Sequence, residues 1–295
     1  MPEHNKGAVL ITGASSGIGK ASALLLDRSG YRVFAGVRQP EAGEALRKEA
    51  SSDLTPVIID VTDPAQFSAA TKKVEDVLGP EPQLMALVNN AGICVAGPIE
   101  CLPIEILRQH LEVNAIGHIA VTQAFMPFLR RRTGRIINVG SATGRFALPF
   151  LGAYSASKFT LVALTDALRV ELRPWGIPVS VVEPGTVETP MWEKSTEKSR
   201  NLMEVELPDY ARDLYEDAMH SIERVMDSGR RQAITPQDVA EVILKAVEAR
   251  KPKSRYPVGA GARMALIGSF LPNRFTDWIF SRVLANKLTT KILGW

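Results

Sequence analysis

The sequence predicts an α/β protein built on a doubly wound parallel β-sheet, in one domain that spans residues 1–295. Short runs rich in β-branched residues alternate with helical patterns as far as residue 183, which is typical of a parallel sheet with helices on both faces. Two of these runs, 136–137 and 181–182, are apolar at consecutive positions, as strands covered on both faces are. No Pro-, Gly- or Ser-rich linker divides the chain, so we predict a single domain.

The elements follow this alternation from the N-terminus. We predict strands at residues 8–12, 31–37, 56–59, 84–89, 135–139 and 179–183. We predict helices at 18–29, 41–50, 64–78, 103–118 with a continuation to 129, and 154–173. A further helix begins near Thr235, Pro236 and Asp238, because threonine caps helices and proline is favoured in the first turn.

Residues 188–233 interrupt the alternation and are described here as an insertion. The insertion is rich in charge, yet Met203, Leu207, Tyr210 and Leu214 fall at helical spacing. This stripe predicts a helix that either packs on the body of the protein or forms a lid over an apolar ligand.

Residues 255–295 form a C-terminal extension in which apolar side chains lie among Arg263, Arg274 and Arg282. These apolar residues are Phe270, Leu271, Phe275, Trp278, Ile279, Phe280, Val283 and Leu284. The composition suits contact with a membrane surface, closure of a ligand pocket, or burial against another subunit. We favour the last two interpretations over the first.

Composition excludes several classes of protein. With 45% hydrophobic and 23% charged residues and a net charge of +3, the chain is neither disordered nor suited to a nucleic-acid partner. No apolar stretch approaches the ~20 residues of a membrane-spanning helix. The four histidines and two cysteines form no ligand-spaced cluster, so no metal is expected. We expect Cys94 and Cys101 to be reduced thiols of a cytoplasmic protein, with Cys94 acting as a small buried apolar residue.

A glycine-rich loop from Thr12 to Gly19 lies between the first predicted strand and the first predicted helix. Glycines there allow a tight turn and let a pyrophosphate approach the N-terminus of the helix. The loop therefore predicts a dinucleotide site. The loop residues assigned to it are Gly13, Ser15, Ser16, Gly17, Ile18 and Gly19.

Arg38 occupies the place, about 20 residues past the loop, where an acidic residue would hold a ribose 2′-hydroxyl. A guanidinium at that place suits a 2′-phosphate, because its planar fork can bond the phosphate oxygens in pairs. NADP(H) is thus favoured and NAD(H) stays open. The alternative is that Arg38 is an ordinary surface arginine.

Tyr154 and Lys158 lie four residues apart, on one face of a predicted helix. A phenol is a poor base at neutral pH, and a nearby ammonium favours its ionised form, so we expect Lys158 to lower the pKa of Tyr154. This spacing alone is common on helix surfaces. Ser141 supports the interpretation of Tyr154 and Lys158 as a catalytic pair, because it follows a predicted strand at the sheet edge where ligands bind.

The order of these motifs resembles the short-chain dehydrogenase/reductase family over about residues 7 to 190. The shared elements are the T-G-x-x-x-G-x-G loop, Asn-Asn-Ala-Gly at 89–92, Asn114, Ser141, Tyr154-x-x-x-Lys158 and Pro184-Gly185. The resemblance implies a Rossmann-like fold and a catalytic tetrad of Asn114, Ser141, Tyr154 and Lys158. Within the family, the chain is similar to the branch of retinol, hydroxysteroid and 3-hydroxybutyrate dehydrogenases.

The resemblance also implies a role for each residue of the tetrad. Tyr154 exchanges a proton with the substrate oxygen, which Ser141 holds by a hydrogen bond. Lys158 lowers the pKa of the phenol and binds the nicotinamide ribose, and Asn114 holds a water that relays protons. Further cofactor contacts are implied for Asp60, Val61, Asn89, Ala91, Gly92, Pro184, Gly185, Val187 and Thr189.

These implications converge on an NAD(P)(H)-dependent oxidoreductase. The apolar residues of the insertion point to a hydrophobic secondary alcohol or ketone, resembling a steroid, a retinoid or an aliphatic compound. The alternatives are a nucleotide-binding sensor without catalysis, and a sugar-nucleotide epimerase or dehydratase. By analogy with the family we expect a homodimer or homotetramer, located in the cytoplasm, with contact to a membrane left open.

Overall fold

A computed structural model describes residues 6–80, 83–230 and 233–284, and in it seven strands form one parallel sheet. The strands lie in the order β3-β2-β1-β4-β5-β6-β7, so the direction of winding reverses between β1 and β4. The strand bounds are β1 Ala8–Ile11, β2 Arg32–Val37, β3 Leu54–Ile58, β4 Ala86–Asn89, β5 Arg135–Val139, β6 Val179–Pro184 and β7 Arg255–Val258. The predicted doubly wound parallel sheet is confirmed.

Eleven α-helices are present in the described residues. Their bounds are α1 Gly17–Arg28, α2 Pro40–Arg47, α3 Ala65–Leu78, α4 Ile104–Leu111, α5 Gly117–Arg130, α6 Gly152–Glu171, α7 Pro190–Asn201, α8 Asp209–Arg230, α9 Pro236–Glu248, α10 Ala260–Gly268 and α11 Asn273–Leu284. A π-helical turn, Glu112–Ile116, joins α4 to α5, and a second one, Leu202–Glu206, follows α7. The side chains of residues 222–230 and 283–284 are not described.

The sheet has a separate apolar core on each of its faces. In β1, Val9 and Ile11 pack with α1 and α9, whereas Ala8 and Leu10 pack with α3 and α5. Successive side chains of a strand point to opposite faces, so a strand covered on both faces is apolar throughout. This packing explains why the strands of this chain appear as unbroken apolar runs.

The capping signal at Thr235 is confirmed. The Thr235 hydroxyl accepts a hydrogen bond from the Asp238 backbone N–H at 3.1 Å, and the Asp238 carboxylate accepts one from the Thr235 backbone N–H at 2.7 Å. Two backbone donors at the start of α9 are thereby satisfied. Pro236 occupies the first position of the helix, as predicted.

The C-terminal extension begins with a strand that the sequence analysis did not predict. Residues of β7 pair in parallel with β6, with Val181 opposite Arg255 and Pro184 opposite Val258. Tyr256 and Val258 face the core. The strand was missed because it has only four residues and includes Pro257, which is tolerated at a sheet edge.

The predicted stripe of the insertion is wrong in its second half. Met203 and Leu207 are buried, but Tyr210 and Leu214 are 56% and 54% exposed. The helical path ends before Pro208, and α8 starts again at Asp209 with a different phase. Among the described side chains of α8, those of Ala211, Met219 and Ser221 are buried.

No helix among the described residues is both long enough and apolar enough to cross a membrane. Residues 6–80, 83–230 and 233–284 also hold no group of three or more His, Cys, Asp or Glu side chains arranged to bind a metal ion.

Candidate active site

The glycine loop joins β1 to α1 at the carboxyl edge of the sheet. Gly13 and Gly17 have φ angles of 66° and 54°, in the region that favours glycine. A Cβ at Gly19 would lie 2.2 Å from the carbonyl oxygen of Gly13, and one at Gly13 would lie 2.9 Å from Cα of Ala91. The loop can keep this shape only with glycine at these positions.

Asn90 and Thr12 hold the glycine loop against the segment after β4. The Asn90 side-chain amide donates to the carbonyl oxygens of Thr12 and Gly13 at 3.0 and 3.3 Å. The Thr12 hydroxyl in turn accepts from the backbone N–H groups of Asn90 and Ala91. Ala91 therefore lies beside the loop, and the implied cofactor contacts of Ala91 and Gly92 stay predictions.

The side chain of Asn89 connects three central elements of the fold. Its side chain is fully buried and donates to Thr122 on α5 and to Asn138 on β5, each at 2.9 Å. Asn138 donates onward to Thr165 on α6 at 2.8 Å. The side chain of Asn89 thus joins the central elements behind the site, and a contact of this residue with the cofactor stays a prediction.

The residues assigned to the nucleotide lie along the carboxyl ends of β1, β2 and β3. The N-terminus of α1 has no side-chain cap and no acidic residue in its first turn, with Ser16 at the cap position and Ser15 exposed. Arg38 is exposed directly after β2, and the carbonyl of Gly36 accepts from the Ala14 backbone N–H at 2.9 Å, which fixes the β2 end beside the loop.

Other residues of this group have packing roles that limit what their side chains can contact. Ile18 packs on the core beneath α1, and Val61 is buried against Gly117. The Asp60 carboxylate accepts two hydrogen bonds from Thr62 through one oxygen, at 2.7 and 3.0 Å.

The segment after β6 faces the glycine loop from the other side. The side chain of Thr189 is 3.1 Å from the position of a Cβ on Gly17. Gly185 is bonded through its N–H to the carbonyl of Val258, while Pro184 and Val187 are buried. Of this segment, Gly185 and Thr189 are half-buried and border the cleft beside the loop.

Tyr154 and Lys158 lie on one face of α6, at the carboxyl end of β5. The Lys158 Nζ is 5.8 Å from the centroid of the Tyr154 ring and donates to the carbonyl of Val139 at 3.0 Å. Lys158 is only 4% exposed. The predicted pair is therefore brought together and attached to the strand that precedes Ser141.

Burial, and not the ammonium, dominates the pKa of Tyr154. Loss of solvent raises the pKa of the phenol above its ordinary value, and the hydrogen bond with Ser141 is what lowers it. Burial also lowers the pKa of Lys158 from its usual 10.5 to about 8. In this structure burial is the largest influence on the pKa of Tyr154, and the expected lowering by Lys158 stays a prediction.

Ser141 caps a short 3₁₀ turn, Ala142–Gly144, directly after β5. Its hydroxyl accepts from the Thr143 backbone N–H at 3.2 Å and from the Thr143 hydroxyl at 2.9 Å. Ser141 can therefore give its own proton to a further acceptor, and Tyr154 is the partner within reach.

Asn114 lies within the π-helical turn and is fully buried. Its amide donates to the Ile93 carbonyl and the Ser157 hydroxyl, each at 2.9 Å, and its oxygen accepts from the Ile93 N–H at 2.8 Å. A Cβ at Gly92 would lie 3.3 Å from this oxygen and 3.9 Å from the Lys158 Nζ. All four residues of the predicted tetrad thus border one region.

His110 is a site residue that the sequence analysis missed. It is fully buried, and its ring packs edge to face against Tyr154 with centroids 6.4 Å apart. One ring nitrogen accepts from the Val95 N–H at 3.0 Å and the other bonds the Ile106 carbonyl at 2.7 Å. Burial lowers its pKa, so the ring is neutral. Its spacing of four residues from Asn114 was a signal that the two share a helix face.

Cys94 also belongs to the site. The half-buried thiol hydrogen-bonds to Ser195 on α7, and its charge would act on both Tyr154 and Lys158. Burial raises its pKa to about 11, which favours the protonated thiol at neutral pH. Cys94 is only partly buried, and it packs against an apolar cluster of the insertion and the loops beside the site.

An apolar wall lies beside these groups and is formed by the loop after β4, the loop after β5, and the insertion. The apolar wall is the buried cluster of Val95, Ala96, Leu151, Leu202, Met203, Leu207, Ala211 and Met219. Polar contacts attach α7 to this wall, since the Ser199 hydroxyl accepts from the Ala96 N–H at 2.8 Å.

This arrangement agrees with what the chain resembles among known proteins. The family described as short chain dehydrogenase matches residues 7–200. The chain belongs to the short-chain dehydrogenase family. The resemblance drawn from the motifs is thereby confirmed.

Curated relatives cover nearly the whole chain. A 3-amino-tetrahydro-pyrrolizinone reductase of Xenorhabdus hominickii is 38% identical over 87% of this chain and 88% of its own length. Retinol dehydrogenase 5 of Mus musculus is 36% identical over 94% and 88%, and the 17-beta-hydroxysteroid dehydrogenase type 6 of Bos taurus is 38% identical over 93% and 87%. The chain is thus a short-chain dehydrogenase of the retinol and hydroxysteroid branch.

Solved structures of the family share the fold. A short-chain dehydrogenase from Burkholderia cenocepacia in complex with NADP aligns with a TM-score of 0.70 and 28% identity, over 95% of this chain and 98% of that one. A 3-ketoacyl-(acyl-carrier-protein) reductase from Brucella melitensis complexed with NADH aligns with a TM-score of 0.71 over 88% and 99%; at 24% identity it speaks for the fold alone.

Proposed function

We propose that this short-chain dehydrogenase is an NADP(H)-dependent oxidoreductase that interconverts a hydrophobic secondary alcohol and its ketone. The observation that carries the proposal is the joint position of Tyr154, Ser141 and Lys158 beside the glycine loop, with the apolar wall on the other side. Acid–base groups, a dinucleotide loop and an apolar surface are what the reaction requires.

The glycine loop fits a nicotinamide dinucleotide. Side chains at Gly13, Gly17 or Gly19 would fill the space beside the α1 N-terminus, and the helix has no side-chain cap of its own. The backbone N–H groups of this turn are suited to the pyrophosphate, and Lys158 to the nicotinamide ribose. When bound, the nicotinamide supplies the hydride chemistry.

Tyr154 is the group that moves the proton. In ketone reduction the neutral phenol gives its proton to the carbonyl oxygen, and its raised pKa keeps it protonated until then. The Ser141 hydroxyl bonds the same oxygen and stabilises the developing charge. Lys158, with a pKa of about 8, keeps a positive charge near the phenolate that results.

Arg38 is the residue on which the preference for NADP(H) depends. Its side chain is exposed at the end of β2, next to the glycine loop, and β2 has no acidic residue to hold a ribose 2′-hydroxyl. The NADP complex of the Burkholderia relative is consistent with this choice. Dissociation constants for NADPH and NADH, measured before and after Arg38→Asp, test it. A tighter complex with NADH in the unaltered protein would refute the preference.

The apolar wall supports a hydrophobic substrate, as do the names of the retinol and hydroxysteroid relatives. The test is turnover of a panel of steroid, retinoid, aliphatic and sugar alcohols with both nucleotides, with Tyr154→Phe as the inactive control. Turnover confined to sugar alcohols would overturn the substrate class. Tight nucleotide binding without any redox change would instead indicate the sensor.

We also propose a homo-oligomer that forms through α4, α5 and α6. Apolar side chains on α4, on α6 and on the π-helical turn before α5 are exposed in the single chain, namely Ile104, Ile116, Phe159 and Val170. Burying such side chains against a second copy is favourable. Sedimentation of the unaltered protein should give a dimer or tetramer, and Val170→Glu should shift it toward the monomer. A monomer at micromolar concentration would refute the proposal.

The described part of the C-terminal extension borders the same cleft, which supports a role in closing the pocket. Phe280 on α11 stacks on Phe146 in the loop after Ser141, with centroids 6.5 Å apart. Met264 and Phe270 point outward, and Phe270 is 82% exposed. Residues 285–295 and the side chains of Val283 and Leu284 lie outside what the structure describes.

For the outward face of the extension we keep contact with another subunit as the first interpretation and a membrane surface as the second. Flotation with anionic liposomes separates them, with Phe270→Ser as the matched variant. The free thiols Cys94 and Cys101 support a cytoplasmic location.

A further inference from the structure

A network of charged side chains lies behind the Ser141 turn and has no part in the mechanism described above. Its centre is Glu183, which is 1% exposed. The Glu183 carboxylate accepts from the guanidinium of Arg145 at 2.7 Å through one oxygen, and from that of Arg255 at 3.1 Å through the other. Arg255 also bonds Asp166 on α6, which bonds Arg169.

The network joins the elements that carry the catalytic groups. Glu183 lies in β6, directly before Pro184, and Arg145 directly follows the 3₁₀ turn that Ser141 caps. A Cβ on Gly140, the residue before Ser141, would be 3.9 Å from Cγ of Glu183. Glu183 therefore contacts the polypeptide just before Ser141 and, through Arg145, just after the turn.

Stability alone does not account for this arrangement. A carboxylate withdrawn from water costs several kcal/mol, and replacing buried ion pairs by apolar residues of similar volume is often neutral or stabilising. A paired buried charge does, however, restrict geometry, because both oxygens of Glu183 are occupied only when Arg145 stays in place. The direct effect of the pair is to hold the backbone of residues 140–145 in one position.

We propose that Glu183, acting through Arg145, is a positioning residue that orients Ser141 toward Tyr154. The inference rests on the proposed function, since it assigns a role within that same site. The Ser141 hydroxyl lowers the pKa of Tyr154, so a displaced Ser141 would weaken both the hold on the substrate oxygen and the acidity of the phenol. Displacements of about 1 Å at a reacting centre cost up to about 100-fold in rate.

The test compares Glu183→Gln with Asp53→Asn in the full-length protein. Asp53 pairs with Arg32 at 3.0 Å at the opposite, amino end of the strands, so its substitution removes a more exposed ion pair away from the site. Glu183→Gln should lower kcat by about 10- to 100-fold, leave the dissociation constant for NADPH unchanged, and increase hydrogen exchange in residues 141–147. Asp53→Asn should change none of these.

A double-mutant cycle with Ser141→Ala separates positioning from general damage. If Glu183 acts through Ser141, Glu183→Gln should lower kcat less than about 2-fold once Ser141 is alanine. Both substitutions then remove the same contribution of the Ser141 hydroxyl to kcat. Equal factors in both backgrounds, or unchanged exchange in residues 141–147, would overturn the inference. If Glu183→Gln does not fold, Arg145→Gln replaces it, since Arg145 is at the more exposed end of the pair.

The exchange measurement keeps the two proposals apart. An unaltered protein that turns over no alcohol or ketone, together with raised exchange in Glu183→Gln, would refute the proposed function while leaving the bracing of the Ser141 turn in place. If the unaltered enzyme is active, and Glu183→Gln changes neither kcat nor hydrogen exchange in residues 141–147, only the inference is refuted.

Discussion

Replacing Lys158 with methionine should make the cofactor-free protein more stable at neutral pH, and this gain should disappear in alkaline solution. Lys158 is almost fully buried, and burial lowers its pKa from 10.5 to about 8. The free-energy difference that corresponds to these two values is about 3 kcal/mol. That figure is an upper value, because methionine also loses the hydrogen bond to the Val139 carbonyl.

The sign follows from proton binding. Between about pH 8 and pH 10.5 the unfolded chain still binds a proton at Lys158, whereas the folded chain has released it. The free energy of unfolding of the unaltered protein therefore rises with pH across this window. Below about pH 8 the full cost of the buried charge is present, so the advantage of Lys158→Met is largest there and is lost toward pH 10.5.

Urea denaturation of both proteins at several values between pH 7 and pH 10.5 measures the effect. Lys245→Met on the exposed face of α9 is the matched control, because it makes the same substitution without removing a buried ammonium. The reasoning would be refuted if the difference in free energy of unfolding between Lys158→Met and the unaltered protein stayed constant over this pH range. Activity should be lost in Lys158→Met at every pH, which makes this a case where a functional group lowers stability.

Three further predictions concern the loop, the site and a helix cap. Gly19→Ala should abolish NADPH binding by calorimetry, because its Cβ would lie 2.2 Å from a backbone oxygen, whereas Gly268→Ala, with open space around it, should bind normally. Ser141→Ala should move the pH midpoint for alcohol oxidation upward, because Ser141 lowers the pKa of Tyr154; an unchanged midpoint would contradict this. Thr235→Ala should lower the free energy of unfolding by about 1 kcal/mol in urea titrations and leave kcat unchanged.

The central strands were predictable because burial on both faces leaves an unbroken apolar run in the sequence. β7 was not, because its four residues alternate and their assignment depends on pairing with β6, more than 70 positions earlier. The prediction of one continuous helical stripe in the insertion failed for a local reason. The apolar period continues from Leu207 to Tyr210, but Pro208 intervenes and Leu207 takes an extended backbone, so the two halves do not share a helix.

In the site, too, the residues of sequence motifs were predictable, whereas properties that depend on tertiary packing were not. Ser141, Tyr154 and Lys158 were predictable because they follow strands or share a helix face. The direction of the Tyr154 pKa was not, since it depends on how much water the surrounding chain excludes. His110 and the inward side chain of Asn89 were missed for a related reason, because only the tertiary structure tells which neighbour a buried polar group faces.

The π-helical turn at residues 112–116 fixes the number of residues between α4 and α5. A π turn contains one residue more than an α turn, so the helix before it and the helix after it have different rotational phases. Deleting a single codon here would restore a regular helix and rotate one half by about 100° relative to the other. Either Asn114 would move away from Ile93, or Gly117 would lose its fit against Val61. A one-residue deletion in this turn should therefore be more damaging than a substitution at its exposed position Glu112.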